Sequence, residues 1–438
     1  MNCTTIKRLL KTSIKEVAEK HELYSVNPGK DFTRTRKLPI EKLLSGLIGM
    51  SGKSLTNELI DMFNTSSDMP STSALVQQRS KLKPEAFGTV FESFTNKIDK
   101  PNTNKLRMLA VDGSAIRIPF NPEDKTTYMS GGSTQSPYNK LHLNALYDIE
   151  KKLYVSVNIQ DGMLANEHKA LQQMVDISYI PLALVIADRG YESYNNLAHI
   201  QEKGWFFLFR IKDGYEGIKE GLVLPDNNEF DCSFSLKLCR KNTNELKELY
   251  KNRNEYRRLK SNRGFDYLPV KSKKKDPVVF YTLNFRIVRF AIAEDTYETV
   301  ITNLDSDTYP PEKLKELYAS RWGIETSFRD LKHTLGLLKF HSKKAMCIRQ
   351  EIYAQMIMYN FVVMITSSVA IKHKPRKRIY KANFSVATHV CRLFYLGKTS
   401  PPKVESTICK NLIPIRPNRH FNRTNSLAAL SGFFYRVA

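Results

Sequence analysis

Four polar residues stand at helical spacing late in the chain: Tyr318, Arg321, Glu325 and Lys332. At 100° per residue they fall at about 0°, 300°, 340° and 320°, inside an arc of about 60° on one helix. A phenol, two cations and one acid therefore face the same way. A solvated helix scatters its charges, and a core helix puts Leu at such positions. The stripe suits contact with an anion while one carboxylate is kept for another task. Two further acids stand where acids are costly. Asp112 interrupts the strand-like LRMLAVDGSAIRIP, and Asp188 closes the apolar LALVIAD before Arg189 and Gly190. A carboxylate buried in a strand must be paired, protonated or metal-bound. Taken singly, each has a plain structural explanation, an ion pair with Arg or a helix cap.

Taken together, Asp112 in mid-strand, Asp188 at a strand end and Glu325 on a flanking helix would form a cluster of three negative charges. Such a cluster repels itself unless divalent cations neutralise it, and all-oxygen ligation suits magnesium or manganese. Two such ions about 4 Å apart activate a water or hydroxyl and stabilise the leaving oxygen in phosphodiester cleavage. Tyr318, Arg321 and Lys332, on the face of the third acid, would then hold phosphates beside the scissile bond.

These residues resemble those of the DDE transposases of bacterial insertion sequences, in the group named for a Y-(2)-R-(3)-E-(6)-K signature. The signature reads YASRWGIETSFRDLK, Tyr318 to Lys332, with every spacing kept, and VDGS and ADRGYES are similar to the two aspartate motifs. The resemblance covers most of the chain. It implies a ribonuclease H-like α/β catalytic core interrupted by a β-rich insertion, with a helical N-terminal and a basic C-terminal region. It implies Asp112, Asp188 and Glu325 as catalytic ligands of two divalent ions, Mg or substituting Mn. Tyr318, Arg321 and Lys332 become contacts to DNA, and Arg210, where the insertion begins, a further one or an ordinary surface Arg. The implied partners are double-stranded DNA with terminal inverted repeats, target DNA, and a second copy of the chain in a synaptic homodimer. The implied chemistry is hydrolysis at the transposon end, second-strand cutting through a hairpin, then strand transfer. Two rivals remain: a nuclease of the same fold without strand transfer, and a DNA-binding protein that has lost catalysis.

The elements that must position these groups are legible in outline. Residues 1–104 read as helical, with KLPIEKLLSGLIGM and TSALVQQRSKLKPEAF amphipathic; they suit a DNA-binding module or a helical cap. Residues 105–211 read as three strands in a meander, then helix, strand, helix, strand. Residues 212–305 read as the β-rich insertion, with PVVFYTLNFRIVRFAIA as a strand. Residues 306–371 return to helix, and 372–438 form a basic C-terminal region for DNA binding or dimerisation.

Charge supports a polyanionic partner. With 68 basic and 44 acidic residues the net charge is +24, an excess most often met by nucleic acid. The KSKKK run reads as a solvated loop. Ile352 to Ile371 is uncharged for 20 residues, but Gln355, Asn360, Ser367 and Ser368 dilute it, so it reads as a buried helix rather than a membrane span. The start lacks the apolar core of a signal peptide, and a cytoplasmic, nucleoid-associated bacterial protein is expected. The six cysteines show no C-x-x-C, which argues against zinc or a disulfide framework. Trp205 and Trp322 read as core, leaving the aromatic that would stack on a flipped base unassigned, with Tyr281 as one option. Glu167, His168, His142 and Asp148 read as ordinary: a helix-dipole partner and its neighbour, a satisfied histidine and a turn acid.

Overall fold

The computed structural model describes residues 1–34, 36–100, 105–132, 136–212, 217–270, 276–370 and 379–415. The KSKKK run, the KHKPRKR run and the tail from residue 416 lie outside the described residues.

The sheet starts where β-branched and aromatic residues first alternate with polar ones. It opens with β1 (Arg107–Ile118), the short β2 (Tyr128–Met129), β3 (Tyr138–Asp148) and β4 (Leu153–Asp161). β3 runs antiparallel to β1 on one side and to β4 on the other. After the helix Glu167–Asp176 comes β5 (Ala183–Ala187), parallel to β1. After the helix Tyr194–Glu202 comes β6 (Phe206–Arg210), parallel to β5. The expected meander followed by helix, strand, helix, strand is therefore present. β5 is buried along its whole length, and its ALVIA run has no polar member. A parallel strand covered on both faces requires this.

The next strands, in the segment read as a β-rich insertion, join the same sheet. β7 (Phe230–Cys239), β8 (Tyr256–Arg258), β9 (Tyr281–Ala293) and β10 (Thr296–Thr302) do not form a sheet of their own. β10 pairs antiparallel with β6, and the order continues β6-β10-β9-β7-β8. The far edge of β6 would otherwise expose unpaired backbone groups beside a core of Phe207 and Phe209, and β10 satisfies them. Among the described residues one ten-stranded sheet thus runs from the meander through the segment read as an insertion.

Strand alternation sends alternate side chains into separate cores. Leu109 and Val111 of β1 join Ala170, Leu171 and Leu197 from the helices on one face. Ala110, Ile116 and Ile118 join the other face. There the N-terminal helices (Cys3–Glu19, Ile40–Gly49, Glu85–Ile98) pack with the long helix Ala345–Ser368 and with Phe384–Tyr395. Pro84 divides the second amphipathic stretch into Thr72–Arg79 and Glu85–Ile98.

Ala345–Ser368 is buried among these elements, and no helix among the described residues is long and apolar enough to cross a membrane. Its polar residues are used. The Asn360 carboxamide accepts from Tyr154 N at 3.0 Å and donates to Tyr154 O at 2.8 Å, meeting the β4 backbone as another strand would. Gln350 donates to the carbonyls of Arg79 and Leu82. All six cysteines are free thiols.

Candidate active site

Asp112 shares its β1 face with Ala110 and meets the helix Trp322–Arg329. Its Oδ1 accepts the Gly113 N–H at 2.9 Å. Burial raises its pKa to about 6, with the Glu325 and Glu167 charges adding and the Gly113 bond and Arg321 opposing. Asp188 follows β5 directly and caps a single 3-10 turn, accepting Arg189 N at 2.8 Å. The Tyr318 hydroxyl donates to it at 3.4 Å.

The stripe is not on one continuous helix. Pro311–Ala319 ends before Ser320, Trp322–Arg329 follows, and Asp330–Thr334 widens into a π turn carrying Lys332. At the first break the backbone bonds shorten to i→i−3, Arg321 N to Tyr318 O and Ile324 N to Arg321 O, both 3.1 Å. Ser320 Oγ bonds back to Leu317 O and competes with the ladder there. Backbone angles stay right-handed at Ser320, Arg321 and Asp330, so the chain keeps its direction and the four side chains still converge.

Each signature residue lies beside a carboxylate. Tyr318 reaches Asp188, and burial, then the Asp188 charge, pushes its pKa up to about 12. Arg321 Nη2 donates to Glu325 Oε1 at 2.7 Å. Burial works against the Arg321 charge, but Tyr318, Glu325 and Asp188 outweigh it and hold the guanidinium protonated. Its Nε is buried without a hydrogen-bond partner. Lys332 is half-buried; burial lowers its pKa while Asp112 pulls the other way. Arg210 ends β6, sits 3.4 Å from Glu298 Oε1 on β10, and exerts its charge on Tyr318.

The three acids fit a hard divalent cation by chemistry: all are oxygen donors, and one, Asp112, is partly buried and electrostatically burdened by Glu325 and by Glu167 outside the trio. They are not drawn together as a ready cage. Among the described residues no three His, Cys, Asp or Glu side chains are grouped closely enough to hold a metal. Arg321 supplies the positive charge between them instead.

The burden on Asp112 has a stability consequence. Its folded pKa is raised, so the ionised form destabilises the fold; the penalty grows from near pH 4 through pH 6 and is then constant, at most about 3 kcal/mol. Asp112→Asn should therefore raise the metal-free unfolding midpoint at pH 8 and raise it less at pH 5. Calorimetry at both values checks this; a lower midpoint at pH 8 would reject it.

Sequence reasoning misplaced Trp322. It is 54% exposed. The buried residues of its helix, Ile324, Phe328 and then Leu331, centre near 220–280° on the same wheel, so Trp322, at about 40°, lies past the stripe on the solvent side. Trp205 is buried, donating to Ile180 O at 3.2 Å. Tyr281 is engaged within the fold, bonded to Glu202 and packed on Phe265 and Tyr267. Asp148 takes its turn role with Lys151 N and also clamps Arg107. The sequence makes Glu167 a helix-dipole partner. It does stand in the first turn of its helix, but it also bonds His142 Nε2 at 2.8 Å and acts on Asp112.

Residues 103–361 match the family model described as Transposase DDE domain, a span that takes in both aspartates and the whole signature. The chain belongs to this family of DDE transposases, enzymes of DNA transposition that use divalent metal ions. Among known proteins it is 22% identical over 341 residues to the transposase InsG for insertion sequence element IS4 of Escherichia coli (strain K12), covering 75% of this chain and 70% of that one. It is 22% identical over 294 residues to the transposase for insertion sequence element IS231D of Bacillus thuringiensis subsp. finitimus, covering 60% and 58%. Among solved structures, the piggyBac transposase synaptic complex with hairpin DNA aligns with a TM-score of 0.44 at 10% identity, over 98% of this chain and 89% of that one.

Proposed function

We propose that this chain is a cut-and-paste transposase of the YREK-signature group. It cleaves at the ends of its own element, through a hairpin, and joins the freed 3′-hydroxyl to target DNA. The observation that carries this reading is the pairing of the signature with the acids: Tyr318 on Asp188, Arg321 on Glu325, and Lys332 within the field of Asp112. The strand order β4-β3-β1-β5-β6 supports a ribonuclease H-like core over residues 105–211 and 306–371. The segment 212–305 then lies on that core as an extension of its sheet, residues 1–104 contribute DNA contacts, and 372–438 serve DNA binding or dimerisation. The working form is a cytoplasmic homodimer holding two inverted-repeat ends.

In this reading Asp112, Asp188 and Glu325 would hold two divalent ions, Mg or Mn, which when bound would supply activation of the attacking oxygen and stabilisation of the leaving one. The chain's other groups position the DNA. Arg321 and Lys332 hold the phosphates flanking the cut as charge-assisted donors. The Tyr318 hydroxyl, kept protonated by burial and by Asp188, donates rather than accepts. Arg210 contacts the backbone at the edge of the site.

The test is cleavage of DNA carrying the element's own ends, with and without magnesium, followed by assay of strand joining. Boundary cuts with joining support the transposase. Cuts without joining leave a nuclease, and binding without cuts leaves an inactive DNA-binding protein.

Arg321→Ala should weaken end-complex formation about tenfold and slow cleavage, since a charge-assisted contact is worth about 1.5–3 kcal/mol. Gel-shift titration beside cleavage rates measures both; wild-type values in both would reject the role. Binding should also fall steeply with salt, by about 10³-fold or more between 50 and 200 mM if six or more phosphates are neutralised. A flat salt response contradicts the electrostatic account.

A further inference from the structure

β1 and β5 are hydrogen-bonded partners only as far as Ala110 and Ile186. Asp112 and Asp188 each stand two residues beyond that last pair. The ladder that aligns the two strands has therefore ended before it reaches the two acids, and it does not fix the distance between them. Some other contact must span the gap, because a two-ion site tolerates little variation in ligand spacing.

Glu167 is the side chain that faces the backbone beyond the end of that ladder on both strands. It opens the helix Glu167–Asp176, which packs on the sheet face opposite Asp112. Its Oε1 bonds His142 Nε2 at 2.8 Å. A Cβ built on Gly113 would stand 2.5 Å from that Oε1 and 2.5 Å from His142 Nε2, and one built on Gly190 would stand 4.0 Å from Oε2. The same carboxylate thus fills the space a side chain would take at the glycine next to Asp112, and its other oxygen faces the glycine two after Asp188. At Gly113 the absence of a side chain is what lets it in.

We infer that Glu167, locked by His142, is a positioning residue that braces the backbones of the two aspartate motifs and sets the spacing of Asp112 and Asp188. It acts from the far face of the sheet, through Gly113 and Gly190, and is not itself a ligand. The inference rests on the reading of Asp112 and Asp188 as metal ligands. The brace works by shape and by its bond to His142. Gln in its place keeps both, whereas Ala removes both.

The experiment is Mn²⁺ binding by calorimetry to the full-length chain without DNA, for wild type, Glu167→Ala, Glu167→Gln and the control Asp112→Ala. Loss of an outer-shell partner costs metal sites 10–100-fold. Glu167→Ala should weaken Mn²⁺ at least tenfold while thermal unfolding shows a folded protein, and Glu167→Gln should stay within threefold of wild type. Gly113→Ala, which must displace both members of the pair, should also weaken binding, and by less in a Glu167→Ala background. Wild-type affinity in Glu167→Ala overturns the brace, as does equal loss in the Ala and Gln variants. Binding unaffected by Asp112→Ala overturns the metal reading itself and the brace with it, a pattern distinct from the other two.

Discussion

Glu325→Gln is expected to abolish end cleavage while leaving duplex binding within twofold of wild type. The amide keeps the volume of the carboxylate, and its oxygen still accepts from Arg321 Nη2, so the 2.7 Å contact between the helix and its N-cap residue survives. On the proposed reading, what disappears is one negative oxygen ligand out of three. A metal ion contributes several kcal/mol to a phosphoryl transition state, so a rate loss on the order of 10³-fold or more follows from weakening its hold. Cleavage of end-bearing DNA in magnesium measures the effect, with gel-shift affinity and the unfolding midpoint as controls. Retained cleavage would remove Glu325 from the metal site. Loss of binding together with cleavage would assign it to DNA positioning instead.

The second large effect concerns a buried ionic cluster between the N-terminal helices and the stretch after the signature. His341 is 4% exposed at its side chain, with Nδ1 3.2 Å from Glu351 and Nε2 3.7 Å from Glu58; Nε2 also bonds Lys53 O at 2.9 Å. Arg79 reaches the other Glu351 oxygen at 2.9 Å. Burial alone would lower the His341 pKa, but bonds to Glu351 and Glu58 dominate and raise it to about 9. The imidazolium therefore binds its proton more tightly in the folded chain than in the unfolded one. Its stabilisation is complete below about pH 6.5 and is lost as the pH rises through about 9, a span of about 3 kcal/mol. Removing it takes away the cation shared by the buried Glu351 and Glu58, leaving Arg79 to the one and the Ser51 and Lys53 N–H groups to the other, and His341→Ala should cost about 3 kcal/mol at pH 6.5. Denaturant unfolding across pH 6.5–9.5 checks both statements. Wild type should lose stability over that range and the variant should be nearly flat; parallel curves would reject the assignment.

Much of the site was legible because its chemistry is expensive. Asp112 and Asp188 stand out in apolar strands, and Tyr318, Arg321, Glu325 and Lys332 stand out by spacing. The meander and β5 were legible from alternation and from an unbroken apolar run. What escaped has physical reasons. The breaks at Ser320 and Asp330 keep right-handed dihedrals, and a hydrophobic pattern does not distinguish i→i−3 or π bonding from i→i−4. Trp322 was misread because facing away from the stripe was equated with facing the core, whereas the stripe borders the core and Trp322 lies beyond it. The pairing of β10 with β6 joins residues about 90 positions apart and leaves no local trace. Glu167 looked ordinary because its meaning lies in two glycines, 54 residues before it and 23 after. The polar residues of Ala345–Ser368, read as diluting an apolar helix, are the groups that bind it to its neighbours.

Asn360 has a consequence for how the chain is made. It meets the backbone of Tyr154 across 206 residues of sequence. At about 5–20 residues per second, on the order of ten to forty seconds of translation separate the two. Early in that interval the nascent chain carries Asp112 alone, Asp188 follows, and Glu325 is missing for most of it, while the outer side of β4 waits for its cover. A half-synthesised chain is therefore chemically incomplete, yet it presents an open strand to any neighbour able to pair with it. The stretch of synthesis in which that strand edge stands open thus overlaps most of the stretch in which Glu325 is still missing.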